Sequence, residues 1–139
     1  MTICVCDRKD ALGEIVDGRM VLNECGNIVE NEWKGLGDHY GNCRPGRYVI
    51  MLNHIHGIIM IQNDVGTGFK PVPTRYSLSE MVRGFKTFSS RKINQRNHDS
   101  VFRWQRSFYD HVVRNERSLH KIYEYMDNNP LAMDMKEIL

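Results

Sequence analysis

Long apolar runs are missing from this chain of 139 residues. Its most apolar stretch, His54–Ile61, has the length of a strand and falls far short of the ~20 residues that a membrane-spanning helix needs. The N-terminal Met-Thr-Ile-Cys-Val-Cys-Asp has neither a basic flank nor an A-x-A-like cleavage site, so no signal peptide is evident. The expectation is a soluble cytoplasmic protein with no membrane partner. The four cysteines, Cys4, Cys6, Cys25 and Cys43, form no C-x-x-C pair, which argues against a zinc site of that kind. Cys4 and Cys6 would share one face of a strand as small buried residues, and all four are expected to be reduced. Internal repeats and low-complexity tracts are also absent, which excludes a repeat architecture.

A strong net charge is missing too. The formal net charge is +2, yet its distribution is uneven. Residues 1–40 carry four basic and eight acidic side chains, a net of −4; residues 75–114 carry nine basic and three acidic, a net of +6. A solvated helix face is the commoner meaning of a charge run, but a basic segment in a near-neutral protein also suits a polyanion docked on one side. The length fits one domain, 1–139, with its own core.

Alternation makes Thr2–Asp7 a strand, and Arg19–Leu22 a second one after the Asp17-Gly18 turn, the two pairing across a loose loop. Asn23 can cap a helix to about Trp33, because Cys25, Ile28, Val29 and Trp33 recur at helical spacing. Glycines and Pro45 mark a loop before a strand at Arg47–Met51, and His54–Ile61 reads as a buried central strand. Residues 63–74 read as a flexible surface loop. Ser77-x-x-Glu80 is a capping box opening a helix to about Gln95. Ser107–Val113 reads as a strand, and Asn115 starts a last helix that Pro130 should end. The order β-β-α-β-β-α-β-α, with helices on one face, suggests an α+β sandwich.

Two constellations carry chemistry. In His54-Ile55-His56, alternate residues of a strand project together, so two imidazoles can grip one metal while Ile55 turns to the core. Core histidines bonded to neighbours are the commoner meaning of H-x-H, and two ligands are too few; a third must come from elsewhere. On the last helix, Leu119, Ile122, Tyr123 and Met126 form the apolar stripe. Tyr125 and Asn129, four residues apart, share a face bordering that stripe. Asn129 supplies a hard oxygen suited to Mg2+ or Mn2+. On their own, without the histidines, Tyr125 and Asn129 read as a half-buried amphipathic residue and a helix C-cap.

Together these motifs resemble the HUH-type one-tyrosine transposases, and most closely the REP-associated tyrosine transposases of the IS200-like group. His54-Ile55-His56 is similar to the family's H-hydrophobic-H metal motif, within Val49-Ile-Met-Leu-Asn-His-Ile-His-Gly-Ile-Ile. Val101-Phe-Arg-Trp-Gln-Arg-Ser-Phe-Tyr-Asp-His-Val-Val-Arg-Asn-Glu resembles the stretch leading to the tyrosine helix, and Tyr125-Met-Asp-Asn-Asn-Pro130 resembles the Y-x-x-x-N-P ending. The likeness covers nearly the whole chain in the same order. Leu52 replaces a common proline before the histidines. The family usually has residues ahead of the first strand that help grip DNA; here that strand starts almost at once.

The resemblance implies a ferredoxin-like (RRM-like) antiparallel sheet with helices packed on it. It implies Tyr125 as nucleophile and His54, His56 and Asn129 as ligands of Mg2+ or Mn2+. The reaction would cleave and rejoin single-stranded or hairpin DNA through a 5′-phosphotyrosine, as in transposition or REP-type hairpin processing. Tyr109 and Tyr123 rank lower as nucleophiles: Tyr109 lies in an expected strand without a ligand four positions on, and Tyr123 faces the core. Relatives include monomers and dimers, so a homodimer is allowed. Arg83, Lys86, Arg91, Arg103 and Arg106 are candidate phosphate contacts, with Trp104 and Phe108 as bases' stacking partners or core residues. The rivals are a non-catalytic single-stranded nucleic-acid-binding domain derived from a transposase, and a metal-dependent hydrolase. The hydrolase would need further carboxylate ligands, which neither the His54/His56 pair nor the Tyr125/Asn129 pair supplies.

Overall fold

The structure, a computed structural model, describes residues 1–62, 76–96 and 100–138, with side chains described as far as 127. Its elements are β1 (Thr2–Cys4), β2 (Gly13–Val16), β3 (Arg19–Leu22), α1 (Glu24–Lys34), α2 (Leu36–His39), β4 (Cys43–Ile50), β5 (His54–Ile61), α3 (Leu78–Arg96) and α4 (Glu116–Ile138). The fold is α+β. An antiparallel sheet runs β1-β5-β4, and β2 and β3 form a separate hairpin.

Residues 103–109 extend the sheet on the free side of β1. Thr2 and Tyr109 exchange backbone hydrogen bonds of 2.7 and 2.9 Å, the Cys6 amide donates to the Arg103 carbonyl (2.9 Å), and the Gln105 amide donates to the Cys4 carbonyl (2.8 Å). Counting this interrupted edge, the order becomes 103–109, β1, β5, β4, the antiparallel layout of a ferredoxin-like sheet. The strand expected at Ser107–Val113 thus begins earlier and pairs only at two bridges, Trp104 to Val5 and Tyr109 to Thr2.

The core explains the layering. Ile3, Ile55 and Ile50 face Trp33 and Val29 of α1 and Met81, Phe85 and Ile93 of α3. Trp33 and Phe85 meet edge to face at 6.1 Å, and Phe85, Trp104 and Phe102 continue the aromatic chain. Such pairs contribute about 0.5–1.5 kcal/mol each beyond their buried area. Trp104 is therefore a core residue; its indole N–H donates to Ser89 Oγ at 2.9 Å. Glu32, buried on α1, pairs with Lys92 on α3.

The capping signals are realised. The Gly26 amide donates to Asn23 Oδ1 (2.9 Å), and Ser77 and Glu80 exchange the two bonds of a capping box. Other expectations need correction. β1 stops at Cys4, because Cys6–Arg8 forms a helical turn with Asp7 and Arg8 at positive φ; Cys4 and Cys6 do not continue one strand. The partner of Arg19–Leu22 is Gly13–Val16, which escaped the pattern, and their turn is tight: Asp17 and Gly18 take φ of 52° and 75°, as a two-residue hairpin turn requires. α4 continues past Pro130, since the bias before a proline disfavours helix without forbidding it. The loop expected at 63–74 lies outside the described residues, apart from its first flank at Gln62.

The helices also do not all share one face. Ile55 and Gly57 turn toward α1 and α3, and α4 lies on the opposite side against β4 and the β2–β3 hairpin. Gly57 is where this layering is tightest: a Cβ there would come within 2.5 Å of the Trp33 ring. Gly57→Ala is expected to destabilise the fold by about 1–3 kcal/mol through overpacking, read as a lowered urea midpoint with unchanged slope.

Candidate active site at the histidine pair

β5 sits between β1 and β4, and its register fixes what surrounds the histidines. Thr2 lies opposite His56 and Cys4 opposite His54 on β1, while Val49 lies opposite His56 on β4. Cross-strand partners share a face, so Thr2 Oγ1 comes to 2.6 Å from His56 Nδ1. His54 Nδ1 lies 2.9 Å from Asn53 Oδ1. The Asn53 amide nitrogen donates to the Arg8 carbonyl (3.3 Å), which turns its oxygen to the imidazole. That network assigns the proton of His54 to Nδ1 and leaves the Nε2 lone pair free.

Both rings are held neutral. Burial lowers the His54 pKa below its ordinary value, with Arg8 adding to the effect. Burial, then the N-terminal ammonium and His54, lowers that of His56 to about 4. Two neutral imidazoles on one face, each with Nδ1 engaged by an oxygen, have the state a divalent metal requires and the outer-shell support typical of ligating histidines. The donor set therefore fits a divalent cation that completes its shell with oxygen. Among the described residues no cluster of three His, Cys, Asp or Glu side chains adds to the pair. Asn129 belongs to α4, one turn beyond Tyr125, but its side chain lies outside the described residues.

α4 brings the second constellation to the first. The Tyr125 ring meets the His56 ring edge to face, with centroids 5.4 Å apart and planes at 70°. The phenol remains 56% exposed, whereas its neighbour Met126 is buried at 3% and anchors the helix. Tyr123 is half-buried and lies under the Arg47 guanidinium, 4.2 Å from its ring centroid. Tyr109 is exposed on the edge segment beside Thr2.

The basic candidates divide. Arg91, Arg103 and Arg106 line a groove of about 490 Å3 between α3 and residues 101–106, together with Thr87, Ser90 and Asn94. Arg83 is exposed one helical turn before Thr87. Lys86 departs from the expectation: its ammonium donates to the carbonyls of Gln105 (2.7 Å), Arg106 (3.1 Å) and Ser107 (3.1 Å). Three N–H donors meet three acceptors, so this lysine fastens the edge segment to α3. Thr2, Arg8, Asn53 and Arg47 were missed as site residues. Asn53 could have been noticed beside His54; Thr2 and Arg47 reach the site through strand pairing and Arg8 through the turn after β1, and none of the three carries a local signal.

No protein-family profile matches the chain. Its fold is similar to that of a solved REP-associated tyrosine transposase bound to a REP hairpin, with a TM-score of 0.64 and 15% identity, covering 95% of this chain and 65% of that one. The likeness defines an α+β fold of the transposase type, and the chain spans about two thirds of that protein's length. Among curated proteins it is 31% identical over 149 residues to an uncharacterized protein of Haemophilus influenzae (strain ATCC 51907 / DSM 11121 / KW20 / Rd), covering 99% of this chain and 82% of that protein. The chain belongs to the family of that protein.

Two outcomes follow. In the unfolded chain His56 takes up a proton near its ordinary value of 6.5, but in the folded chain only near 4. The unfolded state therefore binds more protons between these values, and stability, complete above pH 6.5, is lost as pH falls through that window. A urea midpoint that drops from pH 7 to pH 4.5, and drops less in His56→Gln, is the expected result. Lys86→Met is expected to cost about 1–3 kcal/mol, because three carbonyls lose a charged donor, and to speed amide exchange at Gln105 and Tyr109.

Proposed function

We propose that this protein cleaves and rejoins single-stranded DNA, with Tyr125 as the covalent nucleophile and His54, His56 and Asn129 as ligands of Mg2+ or Mn2+. The observation that carries this reading is the 5.4 Å ring contact between Tyr125 and His56. It unites two motifs that are far apart in sequence, one suited to hold a cation and the other to attack a phosphorus. The similarity to a hairpin-bound transposase supports a DNA-processing role of the same general kind.

A phenol is a weak nucleophile until it is positioned and activated. Here the helix presents Tyr125, exposed, against His56, one of two imidazoles that would not carry charge at neutral pH. A bound divalent cation would supply Lewis-acid stabilisation to the phosphate oxygens and align the phosphodiester. The Tyr125 oxygen gives up its proton to solvent and forms a bond to phosphorus as the bond from phosphorus to the 3′-oxygen of the preceding nucleotide breaks, and that oxygen takes up a proton from solvent. The resulting 5′-phosphotyrosine keeps the bond energy, so a 3′-hydroxyl can attack in reverse and release the tyrosine. No water needs to be activated, which distinguishes the reaction from hydrolysis. Thr2 and Asn53 hold the imidazoles in orientation.

Arg91, Arg103 and Arg106 offer cations along the groove beside the edge segment, which lies two strand spacings, about 10 Å, from β5. A DNA backbone seated there would reach the histidine face around the edge formed by residues 103–109. Phosphate neutralisation at these residues makes binding salt-dependent.

The test mixes the protein with a single-stranded hairpin oligonucleotide and Mn2+ or Mg2+ and resolves the products on a denaturing gel. A covalent protein–DNA band is expected in the native chain and absent in Tyr125→Phe and His54→Ala. A band that survives Tyr125→Phe and vanishes in Tyr109→Phe would overturn the nucleophile. Salt-dependent binding without any adduct would leave a nucleic-acid-binding domain.

A further inference from the structure

Tyr125 can act only if α4 stands at one height and one rotation on the sheet. Met126 buries apolar surface there, but hydrophobic contact is non-directional and fixes neither quantity. Among the described residues, an ion pair and a cation–π contact that fasten α4 come from one residue of β4. Arg47 Nη2 lies 2.7 Å from Asp127 Oδ1, and the same guanidinium stacks 4.2 Å over the Tyr123 ring. Tyr123 and Asp127 are four residues apart, so they lie one above the other on the helix with Tyr125 between them in sequence.

The sheet aims this arginine. Val49 pairs with His56 on the open face, so Arg47, two residues earlier, falls on that face too, while Tyr48 and Ile50 turn to the core. The β4–β5 register breaks between Pro45 and Tyr48, and such irregularities re-aim a side chain and add twist. Arg47 therefore stands on the strand next to the one that carries His56, facing the helix that carries Tyr125. A guanidinium suits this post because its planar fork can bind a carboxylate while its face covers a ring.

We infer that Arg47 is a positioning residue that clamps α4 in register, through Asp127 and Tyr123, and so sets where the Tyr125 phenol stands against His56. A slip of one residue would shift α4 by about 1.5 Å and turn it by about 100°, which removes Tyr125 from the histidines. The catalytic consequence rests on the function proposed above; the clamp itself does not.

The experiment compares the native chain with Arg47→Ala, Arg47→Lys and the exchanged pair Arg47→Asp with Asp127→Arg. Three readouts are taken: amide exchange of residues 116–127 without DNA, the adduct rate at saturating hairpin oligonucleotide with Mn2+, and affinity for that oligonucleotide in EDTA. Arg47→Ala is expected to speed exchange across α4 and to slow the adduct rate roughly three- to thirtyfold, with affinity retained. Arg47→Lys should fall between, and the exchanged pair should recover part of the protection and part of the rate, which a lost phosphate contact would not do. Unchanged exchange in Arg47→Ala, or a loss of rate accounted for entirely by weaker DNA binding, overturns the clamp. If the native chain makes no adduct while Arg47→Ala still loosens α4, the clamp stands and the strand-transfer reading falls.

Discussion

The two faces of β5 constrain everything else in this molecule. Ile55 and Gly57 turn one way, into contact with Trp33, Phe85 and the rest of the apolar core; His54 and His56 turn the other way. Because side chains on a strand alternate strictly, a slip of one residue would bury two imidazoles and expose the core residues. Packing of α1 and α3 therefore fixes the register, and the register presents the histidines. The stability of the fold and the geometry of the site are set by the same strand, and the large aromatic contacts on one face hold still what the other face displays.

The electrostatics of the open face follow from this placement. The imidazoles are partly withdrawn from water and lie near positive groups, the N-terminal ammonium for His56 and Arg8 for His54. Both influences favour the neutral rings that a cation needs, and the positive groups come from residues at the start of the chain folding back along β5. Elsewhere the basic side chains serve different ends. Lys86 binds carbonyls and completes the sheet edge, Lys92 neutralises buried Glu32, and Arg47 ties the tyrosine helix to β4. The basic segment is thus partly structural, and its arginines at the groove, together with exposed Arg83, are open to a polyanion.

Much of this was legible in the sequence. The apolar run of β5, the capping box of α3 and the Asn23 cap of α1 are local signals, and each element formed where its signal lay. His54, Ile55 and His56 could be assigned to opposite faces from period alone. Trp104 could not be placed, because an indole among arginines reads equally as a stacking platform or as core; its bond to Ser89 decides for core. The short β2 carries too little alternation to stand out, and the edge at 103–109 is held by bonds to β1 that no local pattern encodes. Thr2 and Arg47 acquire their roles only through pairing with distant strands and helices. Helix periodicity placed Tyr125 at the margin of the apolar stripe, yet it took the docking of α4 to put that ring beside His56.

The account centres on one phenol standing against His56, one of a pair of neutral imidazoles. The most direct measurement of it is mass spectrometry of the protein after incubation with hairpin DNA and Mn2+, followed by nuclease and trypsin digestion. A 5′-nucleotide localised by fragmentation to Tyr125 is the predicted result. The same mass addition found on Tyr109 or Tyr123, or on no residue at all under conditions where the DNA is bound, would contradict it.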